Sequence, residues 1–196
     1  ARACASLRHD NIIAVHHVEA GIEDQCPYLV MEFVCGGSLQ ERFEEGPVTD
    51  LRASVEWLRQ AADALQAAHE SGIVHRDIKP SNLLVDATSG RLLVVDFGLA
   101  RLTDSEESLT AANAIAGTPA YMSPEQITHP HDVSGLSDVY SLGVVLYEAL
   151  TGERPFRGTV RMVLNQVQQE EPVQPRRLND RIPRDLETIC LKAMSK

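Results

Sequence analysis

The sequence predicts an α+β fold whose larger part is a helical lobe. Three observations point there. Short apolar and β-branched runs bounded by turn formers come early in the chain. Segments with apolar residues at three- and four-residue steps fill most of the remaining chain. Residues 137–150 read as a helix apolar on nearly all sides, the kind found at a domain centre. Few strands first and mostly helices afterwards is the α+β order. The 196 residues fit one domain, or the larger lobe of one with a piece of the other.

Residues 12–19 and 28–33 carry the first apolar runs and flank a turn-rich stretch at 21–27, so they read as two antiparallel strands. Gly36 and Gly37 then break the chain, and Ser38 is placed to cap a short helix reaching about Phe43. Residues 49–70 form a long helix. Its apolar stripe is Val55, Leu58, Ala62, Leu65 and His69, and Gly72 ends it. Short strands at 83–85 and 92–95 enclose a turn at Thr88, Ser89 and Gly90. Residues 103–113 are a polar loop with no apolar period. After the central helix at 137–150 come helices at about 160–168 and 184–194, the second opened by Pro183.

Composition excludes several function classes. At 43% hydrophobic and 23% charged the chain is an ordinary globular sequence, not a disordered one. A net charge of −10 without a basic stripe argues against a nucleic-acid binder. The four cysteines, Cys4, Cys26, Cys35 and Cys190, form no metal-binding spacing and read as reduced thiols of a cytosolic compartment. The most apolar stretch, 142–150, is too short to span a bilayer and contains Gly143 and Glu148, so no membrane contact is expected of this segment.

The chemistry is concentrated between His75 and Asp96. The chain reads His75-Arg76-Asp77-Ile78-Lys79-Pro80-Ser81-Asn82, and nineteen residues after Asp77 comes Asp96-Phe97-Gly98. Asp77 is a loop carboxylate able to accept a proton, and Lys79 is a cation two residues on. Asn82 and Asp96 supply oxygen ligands of the kind that suit Mg²⁺. Alone, each would read as a turn former or a solvated polar residue. Together at this spacing they hold most of what phosphoryl transfer to a hydroxyl requires.

These motifs resemble the catalytic and metal-binding loops of protein kinases, and Lys79-Pro80 resembles the serine/threonine rather than the tyrosine class. The chain is similar to bacterial members of the eukaryotic-type (Hanks-type) serine/threonine kinases. The resemblance implies a bilobal kinase-like fold, with residues 1–34 a remnant of the N-lobe and hinge strand and 35–196 the C-lobe, truncated at its end. It implies that Asp77 accepts the substrate proton, Lys79 sits against the transferred phosphate, and Asn82 and Asp96 hold Mg²⁺ beside ATP. Residues 117–125 resemble the end of the activation segment, where Thr118 would hydrogen-bond near Asp77 and Lys79 and shape the seat for serine or threonine. Ser123 stands where the family usually has alanine. Glu125 would pair with a late arginine, none of which matches before Lys196. Asp138 would anchor the catalytic loop's backbone. His75 and Phe97 would pack between the lobes, and Arg76 would meet a phosphate added to Thr103, Ser105, Ser108 or Thr110. Residues 28–34 resemble the strand entering the hinge. Met31 would be the gatekeeper, Glu32 and Val34 would bind adenine through backbone groups, and Leu84 would floor the pocket.

Before the hinge neither a Gly-rich loop nor a strand lysine occurs, and residues 1–9 resemble the tail of the helix that would carry the lysine's glutamate partner. Two isolated strands are marginal in water. The expectation is therefore that this segment alone folds poorly and transfers phosphate weakly. The competing expectation is a non-catalytic, pseudokinase-like scaffold that binds partner proteins. Intact Asp77, Lys79, Asn82 and Asp96 favour the kinase. Small-molecule phosphotransferases are disfavoured by residues 117–125, which resemble a peptide-substrate seat. The implied partners are protein substrates and ATP, in the cytoplasm, with a membrane tether elsewhere in a longer protein compatible with the sequence.

Overall fold

A computed structural model describes residues 7–19, 28–46, 50–97 and 119–196. The first two strands, β1 (Val15–Glu19) and β2 (Tyr28–Met31), pair antiparallel, with a register shift between Val15 and His17. Ile12 does not extend β1. It bridges Val94 in parallel, and the Val94 N–H donates to the Asn11 carbonyl at 2.9 Å. Asn11 fixes this crossing by donating its side-chain amide to Gln60 and to the Leu92 carbonyl.

The sequence reads Gly36-Gly37 as a break, whereas the structure makes it part of a strand. β3 (Gly36–Ser38) pairs with β4 (Leu83–Asp86), which pairs with β5 (Leu92–Val94) in a three-stranded antiparallel sheet. The reason is close approach: a Cβ on Gly36 would lie 2.0 Å from the Val85 carbonyl oxygen. Ser38 then caps α1 (Leu39–Glu44), accepting from the Glu41 N–H while Glu41 reaches back to the Ser38 N–H.

The long helix α2 (Leu51–Glu70) starts at the Asp50 cap and ends where Gly72 takes a left-handed φ of 73°. Its buried face is Ser54, Leu58, Ala61, Ala64, Leu65 and Ala68, so the expected stripe is rotated. Ala62 is exposed and Val55 half-buried, on the lip of an apolar groove toward the later helices. Steps of three and four residues through the small side chains of Ala61, Ala64 and Ala68 let the sheet and α4 (Gly135–Thr151) approach closely, which a rule counting only large apolar residues misses.

The central position of α4 is as expected. It buries Tyr140, Val144, Val145, Leu146, Tyr147 and Leu150, and ends at Gly152 in the left-handed region. Around it pack α3 (Pro124–Thr128), α5 (Val160–Gln169), α6 (Pro175–Leu178) and α7 (Arg184–Ala193). The contact of α4 with α7 depends on Gly143, since a Cβ there would meet Ala193 and Met194 at 2.9 and 3.0 Å. Among the described residues no helix is long and apolar enough to cross a membrane.

Candidate active site

The loop from His75 to Asn82 lies between the C-terminus of α2 and the start of β4, and α4 holds it from below. Asp138, in the first turn of α4 and 1% exposed, accepts the His75 N–H on Oδ2 and the Arg76 N–H on Oδ1, both at 2.8 Å. His69 of α2 adds a ring nitrogen at 2.7 Å from the same Oδ2. One buried carboxylate thus takes two backbone donors and an imidazole. Charge-assisted bonds of this kind are the strong ones, and they fix the loop to the central, largely buried helix of the lobe.

Arg76 is forced into a left-handed conformation, φ 70°, and Asp96 likewise, φ 65°. For a residue with a Cβ this costs roughly 1–2 kcal/mol, so the bonds around Arg76 must hold it. Besides the Asp138 contact, the Arg76 carbonyl accepts from the Gln126 side-chain amide at 2.6 Å.

His75 is fully buried, and its ring stacks at a tilt on Phe97, centroids 4.6 Å apart. Nε2 lies 2.8 Å from the Val95 carbonyl, and Nδ1 lies 3.2 Å from the Asp77 N–H. A carbonyl needs a donor and an N–H needs an acceptor, so the ring is the neutral Nε2–H tautomer. Burial pushes the His75 pKa below its ordinary 6.5, against the raising effects of the Val95 carbonyl and of Asp138, Asp77 and Asp96. Below about pH 6.5 the unfolded chain gains a proton there that the folded chain does not take up, so stability falls as pH drops through that window. Thermal melts between pH 7.5 and 5.5 should show this slope for the native protein and a shallower one for His75→Gln. Equal slopes would remove His75 as its source.

Asp77 is about half exposed. Lys79 Nζ donates to its Oδ2 at 2.7 Å, and Asn82 Nδ2 donates to both its carbonyl (2.8 Å) and Oδ2 (3.1 Å). The three residues that the motif separates along the chain are therefore one hydrogen-bonded cluster. A one-turn 3₁₀ helix, Pro80–Asn82, brings Asn82 back toward Asp77. With Nδ2 spent on Asp77, the amide oxygen of buried Asn82 has no protein donor among the described residues. Asp96 is exposed, one residue beyond Val95, whose N–H donates to the Asn82 carbonyl at 3.0 Å. An amide oxygen and a carboxylate on adjoining segments are hard donors that fit Mg²⁺. No group of three or more His, Cys, Asp or Glu among the described residues forms a complete cage, and a cation carried by phosphates needs none.

The residues expected at the hinge lie on β2, just after it, and on β4. Met31 ends β2 and is 37% exposed. The Glu32 N–H donates to the Ala14 carbonyl at 2.9 Å, while the Glu32 carbonyl and the Val34 N–H meet no protein partner among the described residues. Leu84 is half-buried in the middle of the three-stranded sheet, opposite Ser38 and Leu93. Thr118, the polar loop at 103–113 and residues 1–6 lie outside the described residues. Glu125, for which the sequence offers no matching arginine, accepts from Ser137 Oγ at 2.5 Å instead. Sequence reasoning missed Gln126. Its only signal was the Ser-x-x-Gln capping pattern of Ser123 to Gln126.

A helical lobe packs below a small sheet, and the loop that holds the Asp77, Lys79 and Asn82 cluster is tied to the central helix by Asp138. The chain belongs to the protein kinase domain family, which matches residues 1–195. It is 42% identical over 204 residues to serine/threonine-protein kinase PknB of Mycobacterium tuberculosis, covering all of this chain and 32% of that protein. Identity to PknB of Mycobacterium leprae is 40% over 203 residues, with the same coverage. Serine/threonine-protein kinase PknA of Mycobacterium tuberculosis is 40% identical over 178 residues, covering 89% of this chain and 41% of its own. The chain spans about a third of the length of the PknB relatives.

Proposed function

We propose that this chain is the catalytic segment of a protein serine/threonine kinase that transfers the γ-phosphate of ATP to hydroxyls of protein substrates. The observation that carries the reading is the Asp77–Lys79–Asn82 cluster, tied through one buried carboxylate to α4. In this reading the substrate hydroxyl oxygen bonds to the γ-phosphorus, the bond from that phosphorus to the β,γ-bridging oxygen breaks, and ADP leaves. Asp77 takes the hydroxyl proton and aims the attacking oxygen. Lys79, which pairs with Asp77, would share its charge with the transferred phosphate. Asn82 and Asp96 would hold Mg²⁺, which when bound offsets phosphate charge.

The adenine site in this reading is the edge at Glu32 and Val34, whose free carbonyl and N–H match a purine edge, with Met31 and Leu84 lining it. Thr118 shapes the seat for the acceptor residue. The setting is cytoplasmic, where ATP is available, and any membrane tether lies outside this segment.

The test uses the full protein made by its own gene. Incubated with γ-labelled ATP, Mg²⁺ and a panel of basic and acidic protein substrates, it should place label on serine and threonine only, and chelation should abolish the transfer. No transfer to substrates or to itself would overturn the reading and favour the scaffold.

A further inference from the structure

We infer that Gln126, on the short helix α3 after the activation-segment motif, is a positioning residue for Asp77. The inference rests on the kinase reading for its effect on rate, though not for its structural consequence. Gln126 meets the catalytic loop at one peptide, the Arg76–Asp77 link. The carbonyl of that peptide accepts from Gln126 Nε2 at 2.6 Å, and its N–H lies 3.2 Å from His75 Nδ1. This plane is therefore held at both ends, and it is the plane from which the Asp77 side chain departs. The preceding N–H, that of Arg76, is held by Asp138. Because Arg76 has a φ of 70°, relaxation toward an ordinary conformation would rotate this peptide and with it the base.

The amide orientation of Gln126 is fixed by its other partner. Its Oε1 accepts the Ser123 N–H at 3.0 Å, which leaves Nε2 to face the Arg76 carbonyl. The Gln126 N–H donates in turn to Ser123 Oγ at 3.3 Å, closing a capping box with both Ser123 backbone and side chain. One side chain therefore caps α3 and clamps the catalytic peptide. Any displacement of α3 is transmitted to Asp77 through a single hydrogen bond, which couples the end of the activation segment to the base.

Glu at this position separates the two tasks. Gln126→Glu keeps an oxygen for the Ser123 N–H but presents no donor to the Arg76 carbonyl. In the full protein it should lower kcat about 10- to 100-fold, the size expected for a misplaced catalytic group, and leave the KM for ATP within about twofold. Amide exchange of the peptide spanning residues 75–80 should quicken at least about tenfold, while that of the buried middle of α4 stays unchanged. Gln126→Ala should do both and also lower the melting temperature, because the cap is lost with it. A Gln126→Glu protein with native kcat, or with native exchange in residues 75–80, overturns the inference. If the native protein transfers no phosphate, the kinase reading fails, and the exchange measurement still decides whether Gln126 clamps the loop.

Discussion

Asp77→Asn is expected to lower phosphate transfer by about 10²–10⁴-fold, the range set by loss of a positioned proton acceptor. Asparagine keeps the volume and an oxygen for Lys79 Nζ and Asn82 Nδ2, so the loop should stay folded. What it cannot do is take the hydroxyl proton, and it removes the negative charge that holds Lys79 at 2.7 Å. The melting temperature should move little, because Asp77 is about half exposed and its ion pair is worth at most about 1 kcal/mol there. The KM for ATP should hold, since the proposed adenine contacts lie on the hinge. A variant that transfers phosphate within threefold of the native rate would remove Asp77 as the base.

That cluster was legible in the sequence because it is local. Asp77, Lys79 and Asn82 lie within six positions, and a single 3₁₀ turn is enough to bring them together. The expectation for Asp96 rests on another signal, a second motif nineteen residues after Asp77. The central helix was legible from its all-round apolarity, which has one physical outcome in a globular chain: burial.

The misses share the opposite cause. Gly36 enters a strand because β4 passes so close that no side chain fits, and nothing in the flanking residues announces that neighbour. The face that α2 buries is chosen by the sheet and α4 packed against it, so a helix with apolar residues on two faces leaves its orientation open. Gln126 reads as a helix cap because its second bond, to Arg76, joins positions fifty residues apart. Long-range single contacts carry no periodicity, and periodicity is what a lone sequence displays.

The contrast with Asp77 gives the second large effect. Asp138→Ala should damage both stability and rate, because Asp138 does its work as an acceptor from inside the protein. Its carboxylate is 1% exposed and satisfies the N–H groups of His75 and Arg76, which have no other acceptor among the described residues. Alanine leaves both donors buried without a partner, at about 1–3 kcal/mol each. It also frees His69 and relaxes the constraint on Arg76, whose left-handed conformation the bond helps to hold. In a chain of this size each kcal/mol lowers the melting temperature by about 2–4 °C, so a fall of at least several degrees is expected together with near-complete loss of transfer. Asp138→Asn should be intermediate in stability, since its single oxygen can serve one N–H while its amide faces the other as donor against donor. Asp77→Asn with a native melt and transfer lowered about 10²–10⁴-fold, beside Asp138→Asn with a lowered melt and weakened transfer, would separate the group that reacts from the group that holds it. An Asp138→Ala protein that melts like the native one would mean the loop keeps its shape without α4, and the anchoring argument would fall with it.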